Sequence, residues 1–569
     1  MARGQKRGMQ DVGNSETAVV ERIHHPEMGS KSAPEPQVVT DGTGEGNSPS
    51  SGYGFRRAPG MPWNDPMPVR EELFGIERLE QHAATLALAQ PVTKRPPSVQ
   101  SLHKRLKSNA GVLLAAYRAS ALEVENERGV VPAAEWLLDN YHLVEEQIRE
   151  IHDDLPPNYY RQLPKLAEGP FAGYPRVFGI AWAFVAHTDS HFDPETLVRF
   201  IAAYQKVQPL TIGELWAVAI TLRIVLVENL RRLADQITAG RRMRAEADAL
   251  ADRLLANEGR GSALEKVSAD PLPELFAAQL AKRLRDQDPS TTPAHGWLES
   301  RLARQDTSVD AVVRHAQRRQ GASNVTIRNI ITSMRLISDV DWADLFEKVS
   351  LVDARLSADD SFARMDFATR NLYRSAIEDL ARGSALSELD IAGQAVKAAK
   401  AAAVTDDTAS QAERVGDPGY HLIAEGRPAF ERTIGFRPPR HLIAGRLAAR
   451  TGIAGYAGAI GFMTAMLLAL ALWLLSITGL SAPGMIVFAV LALLPASDIA
   501  TALVNRFVSW SHGATGLPGL ELAQGVPPSS RTLVVVPTLL SNRADLLEQI
   551  ERLEVHHLSG AGGDLSFAL

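Results

Sequence analysis

Between Arg450 and Asp498 the chain runs 47 residues without one charged side chain, and few physical settings accept such a stretch. A bilayer core about 30 Å thick is crossed by a helix of about 20 apolar residues. The run exceeds one crossing and breaks at Ser481-Ala482-Pro483-Gly484, which is turn chemistry. Lipid offers no hydrogen-bond partners, so each crossing segment must satisfy its backbone within its own helix. The pattern predicts a transmembrane hairpin over 451–503, with spans at about 453–480 and 484–503. The second span reaches full length only with Asp498 at the interface and the helix continuing toward Leu503.

The flanks set an expected orientation. Arg437, Arg440, Arg446 and Arg450 precede the first span and Arg506 follows the second, while the connecting turn carries no charge. Excess Arg and Lys stay in the cytoplasm, so both ends of the hairpin are expected there. Small residues at four-residue spacing, Gly455 with Ala459 and Gly461 with Ala465, permit close helix approach. Gly and Ala are also ordinary residues of membrane helices, and that reading stays open.

At 569 residues the chain is too long for one ordinary domain. A net charge of −6 carries no concentrated basic face, so nucleic acid is not an expected partner. The absence of cysteine excludes thiolate zinc sites, disulfide frameworks and cysteine nucleophiles. Met1 to Arg7 is basic but leads into polar sequence with no apolar core, unlike a secretory signal; the first span is the expected insertion signal. Residues 1–68 are rich in Gly, Ser, Pro and charge, a composition that buries too little apolar surface to offset ordering entropy. They are read as a disordered tail.

Over 69–415 the apolar spacing turns helical, as in Leu102 to Val124 and Trp136 to Ile151. Asp193-Pro194-Glu195 places a capping carboxylate, a proline at the first helical position and an acid at the positive end of the dipole. Thr211-Ile-Gly-Glu214 is a capping box opening the helix that holds Trp216. Further helices are expected near Arg241–Asn257, Glu274–Arg285, Val309–Gln320, Asp341–Val352, Thr369–Arg382 and Leu389–Ala403. The expectation is a mostly α cytoplasmic domain, a juxtamembrane linker over 416–450, the hairpin, and a second linker over 504–530.

After residue 530 the character changes. Arg531-Thr-Leu-Val-Val-Val-Pro537-Thr538 reads as a buried strand ended by proline. Asn542 to His557 reads as an amphipathic helix, and Leu565 to Leu569 as a second strand. Strand–helix–strand is the opening unit of a parallel sheet. Two strands and one helix cannot cover their own faces and edges, so the sheet is expected to be completed elsewhere.

Several blocks together resemble a known family. Glu135-Trp-Leu-Leu-Asp-Asn-Tyr-His142, Pro156-Pro-Asn-Tyr-Tyr160 and Leu163-Pro-Lys-Leu166 are similar to the N-terminal cytoplasmic region of bacterial cyclic β-1,2-glucan synthases. So are Tyr174-Pro-Arg-Val177, Ala186-His-Thr-Asp-Ser-His191, Pro209-Leu-Thr-Ile-Gly-Glu-Leu-Trp216 and Met365-Asp-Phe-Ala-Thr-Arg370 with Tyr373. Pro418-Gly-Tyr420, Thr532-Leu-Val-Val-Val-Pro-Thr538 and Arg552-Leu-Glu-Val-His556 extend the resemblance, which covers about 100–569 in order. It implies a multi-pass glycosyltransferase of the bacterial inner membrane that transfers glucose from UDP-glucose to a growing β-1,2-glucan. A divalent metal, Mg or Mn, and a phosphorylase-like region controlling chain length are implied for the complete enzyme.

On that resemblance, 531–569 begins a Rossmann-like (GT-A type) nucleotide-sugar domain, with the acidic metal motif and catalytic base beyond Leu569. No catalytic or metal residue carries over, and the chain alone is expected to be inert toward UDP-glucose. Pro537 and Thr538 end the first strand, where open α/β sheets bind ligands, and are the candidate donor-nucleotide contacts; a plain strand terminator is the other reading. The implied partners are the bilayer, the remainder of the synthase and the glucan. The alternative is a membrane-anchored helical adaptor or regulatory protein without enzymatic activity.

Other signals have plainer explanations. His187-Thr-Asp189-Ser-His191-Phe-Asp193 resembles a metal site, but Asp193 already has a capping role, and a hydrogen-bonded corner before a helix accounts for the rest. Glu214 with Trp216 is compatible with a saccharide groove, although capping and core packing suffice. The same holds for Glu135-Trp136 and Asp341-Trp342, while His24-His25 and His556-His557 read as surface pairs.

Overall fold

The computed structural model describes residues 65–125, 131–255, 264, 267, 271–285, 292–358, 360–405, 409–479, 481–511, 517–522, 524–539, 542–560 and 562–569. The tail up to residue 64, with His24-His25, lies outside them. The fold is mostly helical with few strands.

Its axis is one 44-residue helix, Ile212–Leu255. The capping box opens it as expected. The Glu214 N–H donates to Thr211 Oγ1 at 3.2 Å, and the Thr211 N–H donates to Glu214 Oε2 at 3.0 Å. Glu214 also accepts both arms of the buried Arg176 guanidinium, at 2.8 and 2.5 Å. One carboxylate thus closes a helix end and anchors a second helix, Arg176–His187. The separate helix expected from Arg241 is the continuation of this one. Gly240 is the weak point between the halves, and the helix Glu274–Arg285 packs there, with Leu275 Cδ1 3.1 Å from where a Cβ would stand. A second merger extends the helix expected over Val309–Gln320 to Asp339, carried by the buried stripe Ile327, Ile330, Ile331, Met334 and Ile337.

Two hydrophobic cores share the long helix. The larger gathers Val177, Phe178 and Phe184, Phe200 and Tyr204, and Val225 to Leu233, and reaches Leu422 and Phe430 in the short helices Pro418–Leu422 and Arg427–Thr433. The smaller joins Ala247 to Leu254 with Phe276, Leu280, Leu298 and Val312. Trp216 stacks on Phe346 at 4.4 Å within the larger core, so Glu214 and Trp216 serve capping and packing. Inside that core Glu228, fully buried, accepts from Arg105 at 2.9 and 2.8 Å, Arg232 at 3.0 Å and Asn109 at 2.8 Å. Burial alone pushes its carboxyl up, but these donors hold it below the usual range. Arg232 also donates to the Met67 carbonyl at 2.8 Å and lies 5.0 Å over the Trp182 ring, binding the start of the described chain to the bundle.

The corner at His187–Asp193 is locked by long-range partners. Asp189 and Ser190 adopt positive φ, 49° and 62°, which costs an ordinary residue energy unless its surroundings hold it there. Thr326 donates to Asp189 at 2.7 Å, Asn229 to Ser190 Oγ at 2.8 Å, and Ser333 to the Ser190 carbonyl at 2.7 Å. His187 stacks on Phe74 at 4.0 Å, and Asp193 caps the next helix by accepting from the Thr196 N–H at 2.8 Å. A short antiparallel pair, β1 (Val92–Thr93) and β2 (Lys165–Leu166), ties two loops together.

Candidate functional site

The candidate region is the junction where a helical hairpin leaves the bundle and a β-α-β unit follows. The first hairpin helix, Arg440–Ser476, is interrupted by Gly452 at φ 52°, ψ −138°, a backbone only glycine adopts without strain. The second is Ala482–Ser511, with Pro495 inside. Gly452–Ser476 and Ala482–Trp510 are long and apolar enough to cross a membrane, and only 6% of each apolar window is buried. A core helix of a soluble domain would be covered. The observed second helix starts and ends beyond the expected 484–503. Thr464, Ala496 and Ala500 are buried within the hairpin, and the Tyr456 hydroxyl donates to Asn505 at 2.5 Å across it. Gly461 faces open space, so the Gly461–Ala465 spacing does not mark this interface.

Both feet of the hairpin are fastened to the same bundle. At the entry, Arg446 donates to Glu431 at 2.8 and 2.7 Å, and Arg427 donates to the same carboxylate at 3.1 Å. Past the exit, residues 517–521 lie along the start of the helix Phe367–Arg382 as a strap. The Asp366 N–H donates to the Gly519 carbonyl at 3.1 Å, the Glu521 N–H to Arg364 at 2.9 Å, and the Gly519 N–H to Thr369 Oγ1 at 2.7 Å. Arg370 bridges Glu521 at 3.2 Å and Glu347 at 2.9 Å. Next to it the fully buried Arg374 pairs with Asp353 and Glu347 beneath the rings of Phe346 and Phe367. The block Met365–Arg370 is therefore the seat of the strap.

The β-α-β unit has the expected connectivity. β3 (Thr532–Val535) and β4 (Leu565–Ala568) pair in parallel, Thr532 opposite Leu565 and Val535 opposite Ala568, around the helix Arg543–Ser559. Asn542 caps that helix, accepting from the Asp545 N–H at 2.8 Å. Where the segment before β3 meets the loop before β4 the chain needs its glycines: Gly525, Gly562 and Gly563 all have positive φ, and a Cβ on Gly525 would lie 2.6 Å from Gly562. One expectation is corrected. β3 is exposed along its whole length, and Leu547, Ile550 and Leu558 of the helix are exposed as well. Two strands and one helix leave the faces of the pair uncovered among the described residues, so the apolar composition of the strand is not matched by burial.

Pro537 and Thr538 stand just past β3, where the ladder ends with the Val536 N–H donating to Ala568 at 2.9 Å. Pro537 is exposed, and the Thr538 hydroxyl donates to Val536 at 3.3 Å. No charged side chain is brought to them by a described hydrogen bond. Among the described residues no three His, Asp or Glu side chains gather closely enough to hold a metal ion. Sequence reasoning missed the strap and the two feet, since their partners are separated by up to 151 residues.

These elements define a mostly helical protein with a membrane-type hairpin and one parallel β-α-β unit. No family model matches the chain. Among curated proteins it is 37% identical over 511 residues to the cyclic β-(1,2)-glucan synthase NdvB of Rhizobium meliloti (strain 1021), a match covering 88% of this chain. The chain spans 18% of that relative's length and is its partial homologue.

Proposed function

We propose that the chain is the membrane-anchoring front portion of a cyclic β-1,2-glucan synthase of the bacterial inner membrane. In this reading both hairpin feet and the helical bundle lie in the cytoplasm. The unit at 531–569 opens the Rossmann-like domain that takes glucose from UDP-glucose, with its metal and catalytic acids supplied by further sequence. The observation that carries the reading is the 37% identity along 88% of the chain, joined to a hairpin fastened at both ends beside the β-α-β unit. The bundle then holds the transferase against the bilayer, where the growing glucan must leave.

A cysteine-free chain makes the topology directly testable. Ser481→Cys in the turn is expected to react with an impermeant maleimide from the periplasmic side, and Ser384→Cys and Ser530→Cys only after the inner membrane is opened. The reverse pattern rejects the orientation. Mass spectrometry of native membranes, using peptides from the bundle, then separates synthase from adaptor. These peptides belong in a species far above 62 kDa that makes β-1,2-glucan from UDP-glucose. A species of 62 kDa bound to another protein favours the adaptor, whose observation in support is the uncovered apolar face of the β-α-β unit.

A further inference from the structure

An open cleft of about 390 Å³ lies between the short helices at 409–422 and the strap, lined among others by Tyr373, Tyr420, Glu413, Arg414, Asp417 and Pro518. Two glycines shape it. Tyr373 lies so close over Gly419 that a Cβ there would stand 2.0 Å from its hydroxyl, and a Cβ on Gly426 would stand only 2.7 Å from the Tyr420 ring. Tyr373 is buried, while Tyr420 is half-buried and meets His421 edge-on at 5.2 Å. The Tyr373 hydroxyl donates to Asp417 at 2.6 Å, and Asp417 also accepts from the Gly419 N–H at 2.6 Å and Ser361 at 3.2 Å. Asp417 is thus committed to the frame, while the exposed Glu413 and Arg414 form the rim, the latter 3.2 Å from Glu425.

Among the lining residues carboxylates outnumber cations, Glu413 and Asp417 against Arg414, which disfavours a nucleotide sugar or any other phosphate ligand. Aromatic rings beside carboxylates suit a neutral polyol: ring faces receive its C–H surfaces, and carboxylates accept its hydroxyl protons. Concave sites with a few convergent polar groups are where proteins hold small molecules. We propose that this cleft binds a segment of neutral β-1,2-linked gluco-oligosaccharide, with Tyr420 as the stacking platform and Glu413 as a hydroxyl acceptor. The choice of linkage rests on the synthase reading; the saccharide chemistry rests on the cleft. Pro518 belongs to the strap, so an occupied cleft also braces the exit foot of the hairpin.

The test is calorimetric titration of the full chain in nanodiscs with linear β-1,2-glucohexaose, maltohexaose and UDP-glucose. Saturable binding of the β-1,2-hexaose alone is expected, weakened about tenfold by Tyr420→Ala, several-fold by Glu413→Gln, and retained by Tyr420→Phe, with unchanged thermal midpoints. Hexaose binding that is absent, or indifferent to Tyr420→Ala, overturns the proposal and leaves the synthase reading to the topology and product assays. Equal, Tyr420-dependent binding of maltohexaose overturns the linkage assignment. UDP-glucose binding lost in Tyr420→Ala overturns the exclusion of phosphates.

Discussion

Replacing Glu388 with glutamine should make the bundle more stable at pH 8 while leaving it nearly unchanged at pH 5. Glu388 begins the helix Glu388–Thr405, and its Oε2 accepts the Ile212 N–H at 2.7 Å, at the first turn of the long helix. Burial, then the neighbouring Glu378 and Glu214, push its carboxyl up from 4.5 to about 7, against the opposing pull of the Ile212 N–H and Arg382. The folded state therefore holds a proton that the unfolded chain releases above pH 4.5. Stability falls as pH rises from 4.5 through 7 and then levels off. At 1.36 kcal/mol per pH unit that interval corresponds to an upper bound of about 3 kcal/mol, and partial exposure of the side chain reduces it to about 1–2 kcal/mol. The glutamine carbonyl accepts the same N–H without the charge. Thermal midpoints of the detergent-solubilised chain at pH 5 and pH 8 measure the effect. The wild-type midpoint should drop between them by about 2–6 °C more than that of Glu388→Gln. Parallel pH dependences, or a variant weaker at both values, would refute the argument.

Other perturbations probe the remaining contacts. Glu228→Ala leaves Arg105 and Arg232 buried without their shared carboxylate and should cost about 3–5 kcal/mol, read as a fall in urea midpoint. Gly419→Ala places a methyl 2.0 Å from the Tyr373 hydroxyl and should cost about 1–3 kcal/mol by overpacking; an unchanged midpoint would show that the Tyr373–Asp417 frame shifts freely. Arg370→Ala removes the Glu521 and Glu347 pairs and should free the strap, speeding limited proteolysis near residues 517–522 several-fold without altering cleavage within the bundle.

Local chemistry was legible in the sequence. The caps at Asp193 and Thr211–Glu214 depend on residues three apart, and each forms the expected hydrogen bonds. The uncharged run and the break at Ser481–Gly484 announced two apolar helices because helix length in a bilayer is a matter of composition. The parallel pairing of β3 and β4 followed from a strand–helix–strand order. Lost to view was everything decided by distant partners. The helix expected near Arg241–Asn257 is a continuation across Gly240, where the helix Glu274–Arg285 packs, and the elbow at Gly452 adjoins residues that look uniformly helical. Glu214 showed its capping role but not its ion pair with Arg176, 38 positions away. The seat for the strap at Asp366–Arg370 carried no periodic signal, since extended chain docks through backbone groups that every residue has. Pro537 and Thr538 lie where the strand order puts them, and no distant charged group was found hydrogen-bonded beside them.

The two feet of the hairpin differ mechanically. At the entry, a rigid ion-paired segment meets the span through Gly452, a single-residue pivot. Past the exit, residues 517–521 are held by Arg370, Thr369 and Asp366, an attachment along backbone rather than through a helix. A lean of the first helix would therefore swing about that one residue, while the strap at 517–521 is held apart from it on the bundle. Gly519 is held by Thr369 and Asp366 while its neighbour Pro518 lines the cleft, so any displacement of the strap would change the width of the opening beside Tyr420.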